Sequence, residues 1–164
     1  MRRKDREVTD IREIEGILLR CRTCRLAMVD DGAPYVVPLS FGYRFTAGGA
    51  LELYFHSAPK GKKIDVLKKN NQVCFEISCE GEPVQAGTPC ESGYYYSSVI
   101  GYGEAVFIED KMEKCEALSR IVKRQTGEDA VFRGDQTEAV SIYKIVSQKY
   151  TGKKKTKPDE GLNR

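Results

Sequence analysis

Residues 25–67 read RLAMVDDGAPYVVPLSFGYRFTAGGALELYFHSAPKGKKIDVL. Three runs rich in aliphatic, β-branched and aromatic residues, RLAMVD, YVVPLSFGYRF and LELYFHS, are parted only by the turn-forming DDGAP and the glycines of TAGGA. Such runs, joined by short Gly and Asp turns, predict consecutive antiparallel strands. Pro38 interrupts the second run. Having no N–H to donate, it belongs on an edge, at a bulge, or where the backbone faces something other than a neighbouring strand. The segment leaves its third run through Pro59 and Gly61 and enters a short helix that turns Ile64 and Leu67 inward, with Lys60, Lys62 and Lys63 crowded at its start.

Working outward, Thr9–Arg20 has the helical period. Asp10 and Glu13 stand at its start, and Ile11, Ile14, Ile17 and Leu18 form its apolar face. Downstream, QVCFEISCE reads as a strand, EGEPVQAGTPCESG as an irregular loop, and YYYSSVIGYGEAVFIED as a long β run. Gly101 and Gly103, two apart on one face of that run, predict a bend or a close approach by a backbone or ligand. Asp110–Gln125 predicts a helix with Met112, Cys115, Leu118, Ile121 and Val122 as its stripe and Gly127 as its stop. AVSIYKIVSQKY predicts the last strand. Six strands and three helices make a mainly β fold with flanking helices, and such a sheet tends to close into an antiparallel barrel. The expected organisation is one domain over residues 1–150, followed by a mobile basic tail over 151–164.

The chain has 164 residues, 40% of them hydrophobic and 31% charged, a composition neither disordered nor membrane-like. No run approaches the ~18 apolar residues of a spanning helix, and MRRKDREV has no apolar stretch behind its charges, so the expected place is the cytoplasm. The net charge of +3 comes from the ends. Residues 149–164 hold six cations against two anions and residues 1–7 four against two, leaving the body between them net acidic. That distribution argues against a nucleic-acid partner, which needs its cations in a patch on the folded surface.

Six cysteines, Cys21, Cys24, Cys74, Cys79, Cys90 and Cys115, include one C-x-x-C but no second pair to complete a zinc site. They read as reduced, mostly buried thiols, and no metal is expected. Cys74 and Cys79, five apart on one strand, point to opposite faces. His56 is the single histidine. No serine sits in a nucleophile elbow, and neither H-E-x-x-H, a P-loop nor a Rossmann glycine pattern occurs. Two features stand out. The lysines around Gly61 form either an anion site at a helix start or a solvated basic turn. Tyr94–Val99 supplies either aromatic faces and hydroxyls for a planar ligand or a strand at a subunit interface.

The ordered set of the opening Met1–Asp10, Cys24–Ala27, Val37–Tyr43, Leu53–Ala58, Gly61–Asp65, Asn70, Val73–Glu76, Tyr96–Gly103 and Thr151–Lys153 resembles the FMN-binding split-barrel superfamily of pyridoxamine 5'-phosphate oxidase-like proteins, most closely its nitroimidazole-resistance branch. The resemblance implies a six-stranded antiparallel Greek-key split β-barrel whose homodimer buries FMN at a symmetric interface. It places the backbone of Pro38, Leu39 and Ser40 against the flavin ring, His56 and Ser57 beside it, and Lys62 and Lys63 on the phosphate. Ser97, Ser98 and Val99 come from the second subunit. It implies an oxidoreductase that passes electrons from NAD(P)H to a small planar acceptor of nitroimidazole type, with His56 as the candidate catalytic residue and no membrane partner. The alternative is a non-catalytic binder of FMN, haem or deazaflavin on the same barrel. Vitamin oxidase activity is not expected. The oxidases proper end in a segment with tryptophan, arginine and histidine, whereas this chain has no tryptophan and no histidine after His56.

Overall fold

The computed structural model describes residues 2–84, 88 and 92–156. In chain order the elements are β1 (Glu7–Val8), α1 (Ile11–Arg20), β2 (Thr23–Asp30), β3 (Ala33–Ser40), β4 (Gly42–Phe45), β5 (Leu51–Ser57), α2 (Lys62–Lys69), β6 (Gln72–Val84), β7 (Gly93–Phe107), α3 (Lys111–Thr126) and β8 (Ser141–Lys155). All ladders are antiparallel, in the order β3-β2-β6-β7-β8-β5-β4, with β1 added beside β8. Among the described residues there are thus eight strands, against the six expected from sequence.

Local chemistry explains the boundaries. Asp10 caps α1 by accepting from the N–H groups of Arg12 and Glu13 at 2.9 and 3.1 Å. Asp110 caps α3 through Glu113 N–H at 2.9 Å, and Gly127 ends that helix at φ 84°. Asp31 and Gly32, both at positive φ, make the two-residue turn between β2 and β3. The close approach expected at the paired glycines is internal. A Cβ on Gly101 would stand 2.3 Å from the Phe75 ring, and one on Gly103 would stand 2.4 Å from the Val146 carbonyl oxygen.

Three expectations need correction. Met112 does not join the α3 stripe and is 74% exposed, because the buried face of the helix, Ala117, Leu118 and Ile121, lies in its middle turns and does not reach the first. Residues 80–84, assigned to the irregular loop, continue β6, a register shift between Glu80 and Pro83 absorbing the proline. Cys90 lies outside the described residues. Finally, Thr151–Lys155 are not tail: β7 reaches back far enough to pair Tyr96–Ile100 with them, and β1 pairs Val8 with Gly152.

The main core lies inside the curved sheet. Ile14, Ile17 and Leu18 of α1 fill it near the Gly152 end of β8, and Ile64, Val66 and Leu67 of α2 are buried in the same cluster. A second cluster, Tyr54, Ile108, Ala117, Leu118, Ile121 and Ile142, packs α3 on the outside of β5 and β8. The barrel expected from sequence is split, since no ladder joins β3 to β4. Only Phe41, fully buried, separates these two strands, so the chain itself closes the ring by turning a corner. At that corner Gly42 lies directly under α3, where a Cβ would stand 2.8 Å from the backbone of Arg120 and Ile121.

Gly42→Ala therefore pushes α3 off the corner, and denaturant unfolding should show a loss of about 1–3 kcal/mol, the usual cost of overpacking. A second prediction concerns Glu52, buried on β5. It accepts from Tyr54 Oη at 2.6 Å and Arg44 Nε at 2.5 Å, with Lys144 Nζ 3.7 Å away. Burial opposes its charge, but these partners win and hold its pKa below the ordinary 4.5. Its contribution is thus full above pH 4.5 and is lost as pH falls through the depressed folded value. Glu52→Gln should flatten that acid limb of the stability curve while lowering stability at pH 7 by about 1.5–3 kcal/mol.

Candidate functional site at the split

The split has a definite shape. The last ladder pair between β4 and β5 is Gly42↔Tyr54, and beyond it the two chains diverge. On one arm, β3 pairs only with β2, leaving the backbone of Pro38, Leu39 and Ser40 along a free edge. Here Pro38 costs the sheet nothing. On the other arm, Phe55, His56 and Ser57 pair with β8 alone. The loop after Ser57 leads into α2, whose Lys62 Nζ reaches Asp30 at the end of β2, 2.9 Å away. Residues 38–40 and 56–57 thus lie along two strand edges that no ladder joins, and 62–63 open the helix that follows the second of them.

The two lysines differ. Lys62 is exposed, paired with Asp30, and stands 4.7 Å above the Tyr35 ring. Lys63 is half-buried, and its Nζ lies 6.0 Å from the centroid of Tyr143, itself stacked on Phe55. Among the described residues Lys63 has no carboxylate partner, and burial lowers its pKa. Gly61 precedes them at φ 136°, a conformation that favours glycine. Unlike α1 and α3, α2 has no side-chain cap, so its first N–H groups have no side-chain acceptor. An uncapped helix start beside an uncompensated lysine has the chemistry of an anion site, and an anionic cofactor phosphate fits it.

His56 is exposed at the end of β5. Partial desolvation of its ring, then the charge of Lys63, hold its pKa below 6.5, so it is neutral at pH 7. A neutral imidazole can orient a ligand by hydrogen bonding but is a poor proton donor. Ser57 donates to Ala58 O at 3.0 Å and is committed to the loop.

Ser97, Ser98 and Val99 lie elsewhere in the protomer. They pair with Lys154, Lys153 and Gly152 of β8, whereas His56 pairs with Ile142 of the same strand. Ten residues of strand, about 33 Å, intervene. Val99 is fully buried and Ser97 nearly so, which leaves Ser98 with the outward side chain. Sequence reasoning missed Arg124, Tyr143 and the surroundings of Cys79, because each depends on partners scores of positions away.

The family described as Pyridoxamine 5'-phosphate oxidase matches residues 10–154. Among solved structures, a candidate 5-nitroimidazole antibiotic resistance protein from Bacteroides thetaiotaomicron is 33% identical, with a TM-score of 0.77 over 90% of this chain and 85% of its own. The flavocytochrome Anf3 from Azotobacter vinelandii is 20% identical, with a TM-score of 0.78 over 96% and 73%. An FAD- and haem-binding protein from Mycobacterium smegmatis is 20% identical, with a TM-score of 0.77 over 94% and 76%. No curated protein matches the sequence. No helix among the described residues is long and apolar enough to cross a membrane.

His56, as the single histidine, gives one imidazole resonance to follow by NMR. It should titrate below 6.5, and Lys63→Ala should move that titration upward by removing a nearby positive charge. A midpoint unmoved by the substitution would separate the two residues.

Proposed function

We propose, of a chain that belongs to the pyridoxamine 5'-phosphate oxidase family, that it binds FMN in the split and works as a homodimeric oxidoreductase. The observation that carries this reading is Lys63, a half-buried cation without a carboxylate partner among the described residues, at an uncapped helix start between two free strand edges. A flavin held there supplies the redox chemistry, taking electrons from NAD(P)H and passing them to a small planar acceptor of nitroimidazole type.

The residues of this chain bind and orient. Lys63 and the first N–H groups of α2 hold the phosphate, with Lys62 adding field while it keeps Asp30. The free backbone of Pro38–Ser40 offers N–H and C=O groups to the polar edge of the ring, Pro38 contributing only its carbonyl. His56, neutral at pH 7, positions the acceptor beside the ring.

A second copy completes the site. One protomer holds Ser97–Val99 far along β8 from His56, and of these it is Ser98, with its outward side chain, that a partner offers to the flavin. Strand register lines up Val36, Ala27, Cys74 and Tyr102 across the outer face of β3, β2, β6 and β7, next to a row of Pro38, Arg25, Glu76 and Ile100. Val36 is 54% and Tyr102 62% exposed, an apolar stripe suited to burial against its own copy.

The visible spectrum of the purified protein, with and without added FMN, tests the cofactor. Flavin bands that bleach with NAD(P)H support the reading, a Soret band transfers the cleft to haem, and a colourless protein that takes up neither defeats it. Lys63→Ala should weaken FMN binding by about ten- to hundredfold, the loss of one charge-assisted phosphate contact. Lys62→Ala should cost much less, because Asp30 already neutralises it.

A further inference from the structure

A cavity of about 560 Å³ opens beside the far end of β8, between β6, β7 and the last turn of α1. Arg20, Lys154 and Lys155 line it against one carboxylate, Glu82, and Cys79 and Ser97 form part of its wall. Lys154 is paired with Glu13, while neither Arg20 nor Lys155 has a carboxylate partner among the described residues. The cavity is therefore cationic, and it contains a thiol.

The thiol is set up as a nucleophile. Arg20 Nη2 donates to Ser97 Oγ at 3.2 Å, and Ser97 Oγ lies 3.2 Å from Cys79 Sγ. Because the serine oxygen is already accepting from Arg20, its own proton is free to point at the sulfur. Behind Cys79, where the end of α1 packs on β6, stands a second thiol, Cys21, 2% exposed. Burial opposes the Cys79 thiolate, but its polar neighbours, Ser97 first and then Cys21 and Arg20, prevail and lower its pKa. Burial, then the same neighbour, push Cys21 up to about 12. One thiol thus opens to the cavity with its thiolate favoured by its neighbours, and the other is shielded and held as the thiol. The remaining described cysteines lack this setting. Cys24 is sealed in the core, and burial raises both Cys24 and Cys74.

We propose that Cys79 and Cys21 form a thiol–disulfide exchange pair that takes a small anionic disulfide from the cationic cavity. The Cys79 thiolate attacks one sulfur of the ligand, forming a mixed disulfide and releasing the other half as a thiolate. That thiolate takes the Cys21 proton. The Cys21 sulfur then attacks Cys79, forming the internal disulfide and expelling the second half, which leaves as a thiol after taking a proton from solvent. Two electrons pass from the protein dithiol to the ligand, which ends as two thiols, so no other oxidant is needed. This chemistry lies on the opposite face of β7 from the flavin contact proposed for Ser98. Cys79 and Ser97 face the interior side of their strands, while Ser98 and Ile100 alternate onto the outer face assigned to the second copy.

The test treats reduced, full-length protein with oxidised glutathione, alkylates the remaining thiols, and reads intact mass with peptide mapping. Wild type should lose two alkylatable thiols, Cys21 and Cys79, and keep no adduct. Cys21→Ser should trap a glutathionyl group on Cys79, with Cys21→Ala as the replacement if serine in that buried place prevents folding. Cys79→Ser should give neither product while leaving FMN affinity unchanged. Relative to the urea-unfolded chain, the folded protein should favour oxidised glutathione over cystamine, a cationic disulfide, by at least about tenfold. Arg20→Gln with Lys155→Gln should abolish that preference. Adducts on Cys74 or Cys115 in place of Cys79, no trapped adduct in either Cys21 variant, or equal preference for the two disulfides would each overturn the assignment.

Discussion

The guanidinium of Arg124, in the last turn of α3, holds three parts of the fold to one another. Its Nη2 donates to the carbonyls of Leu18 at 2.6 Å, Leu19 at 2.9 Å, and Cys21. The C-terminal carbonyls of a helix have no partners within it. Here they are satisfied by a cation that also complements the negative end of the α1 dipole. The same group lies 5.7 Å from the centroid of Phe41, the residue on which β3 becomes β4. One planar cation therefore ties the end of α1, the body of α3 and the corner of the sheet. Because that corner closes the ring by covalent continuity and not by a ladder, the aperture of the split depends on α3 staying where Arg124 and the glycine floor at position 42 allow it.

The anion-binding chemistry proposed at the start of α2 rests on a difference among the helices. Two helices begin on aspartates and one begins on nothing, and beside that one the chain places a lysine with no counter-charge among the described residues. Leaving the start of α2 unpaired forgoes about 1 kcal/mol of capping stabilisation. In return it keeps backbone N–H groups available to an incoming anion. The two lysines that look equivalent in KGKKID have separate work: one anchors the helix to the β2–β3 hairpin through Asp30, and the other is left to the cleft.

The strands of the first half were legible because their signals are local. Asp31-Gly32 fixes a hairpin by backbone geometry, and Pro38 marks an edge because it has no proton to donate. The helix caps at Asp10 and Asp110 and the stop at Gly127 are equally short-range. What could not be read was set by partners distant in sequence. Thr151–Lys155 carry a tail-like composition, yet they are strand because β7 and β1 both offer ladders to them. Met112 fits the helical period, but the period does not record where the sheet ends. The resemblance singled out residues 38–40, 56–57 and 62–63, and the structure puts the first two on unpaired strand edges and the third at a helix start, with 97–99 toward the other end of β8. Nothing in the vicinity of Cys79 announces Arg20 or Cys21, which lie nearly sixty residues away.

The most connected strand, β8, pairs with β7, β5 and β1 at once and is the last of the described elements to leave the ribosome. Until it emerges, β5 with β4 and β7 with β6 and β2 are two sheets with raw edges and no bridge. Vectorial synthesis therefore exposes hydrogen-bonding edges for as long as the final third of the chain is being made, and cotranslational collapse cannot reach the native ring. Assembly depends on contacts of long sequence separation, which slows it relative to a helical domain of this size.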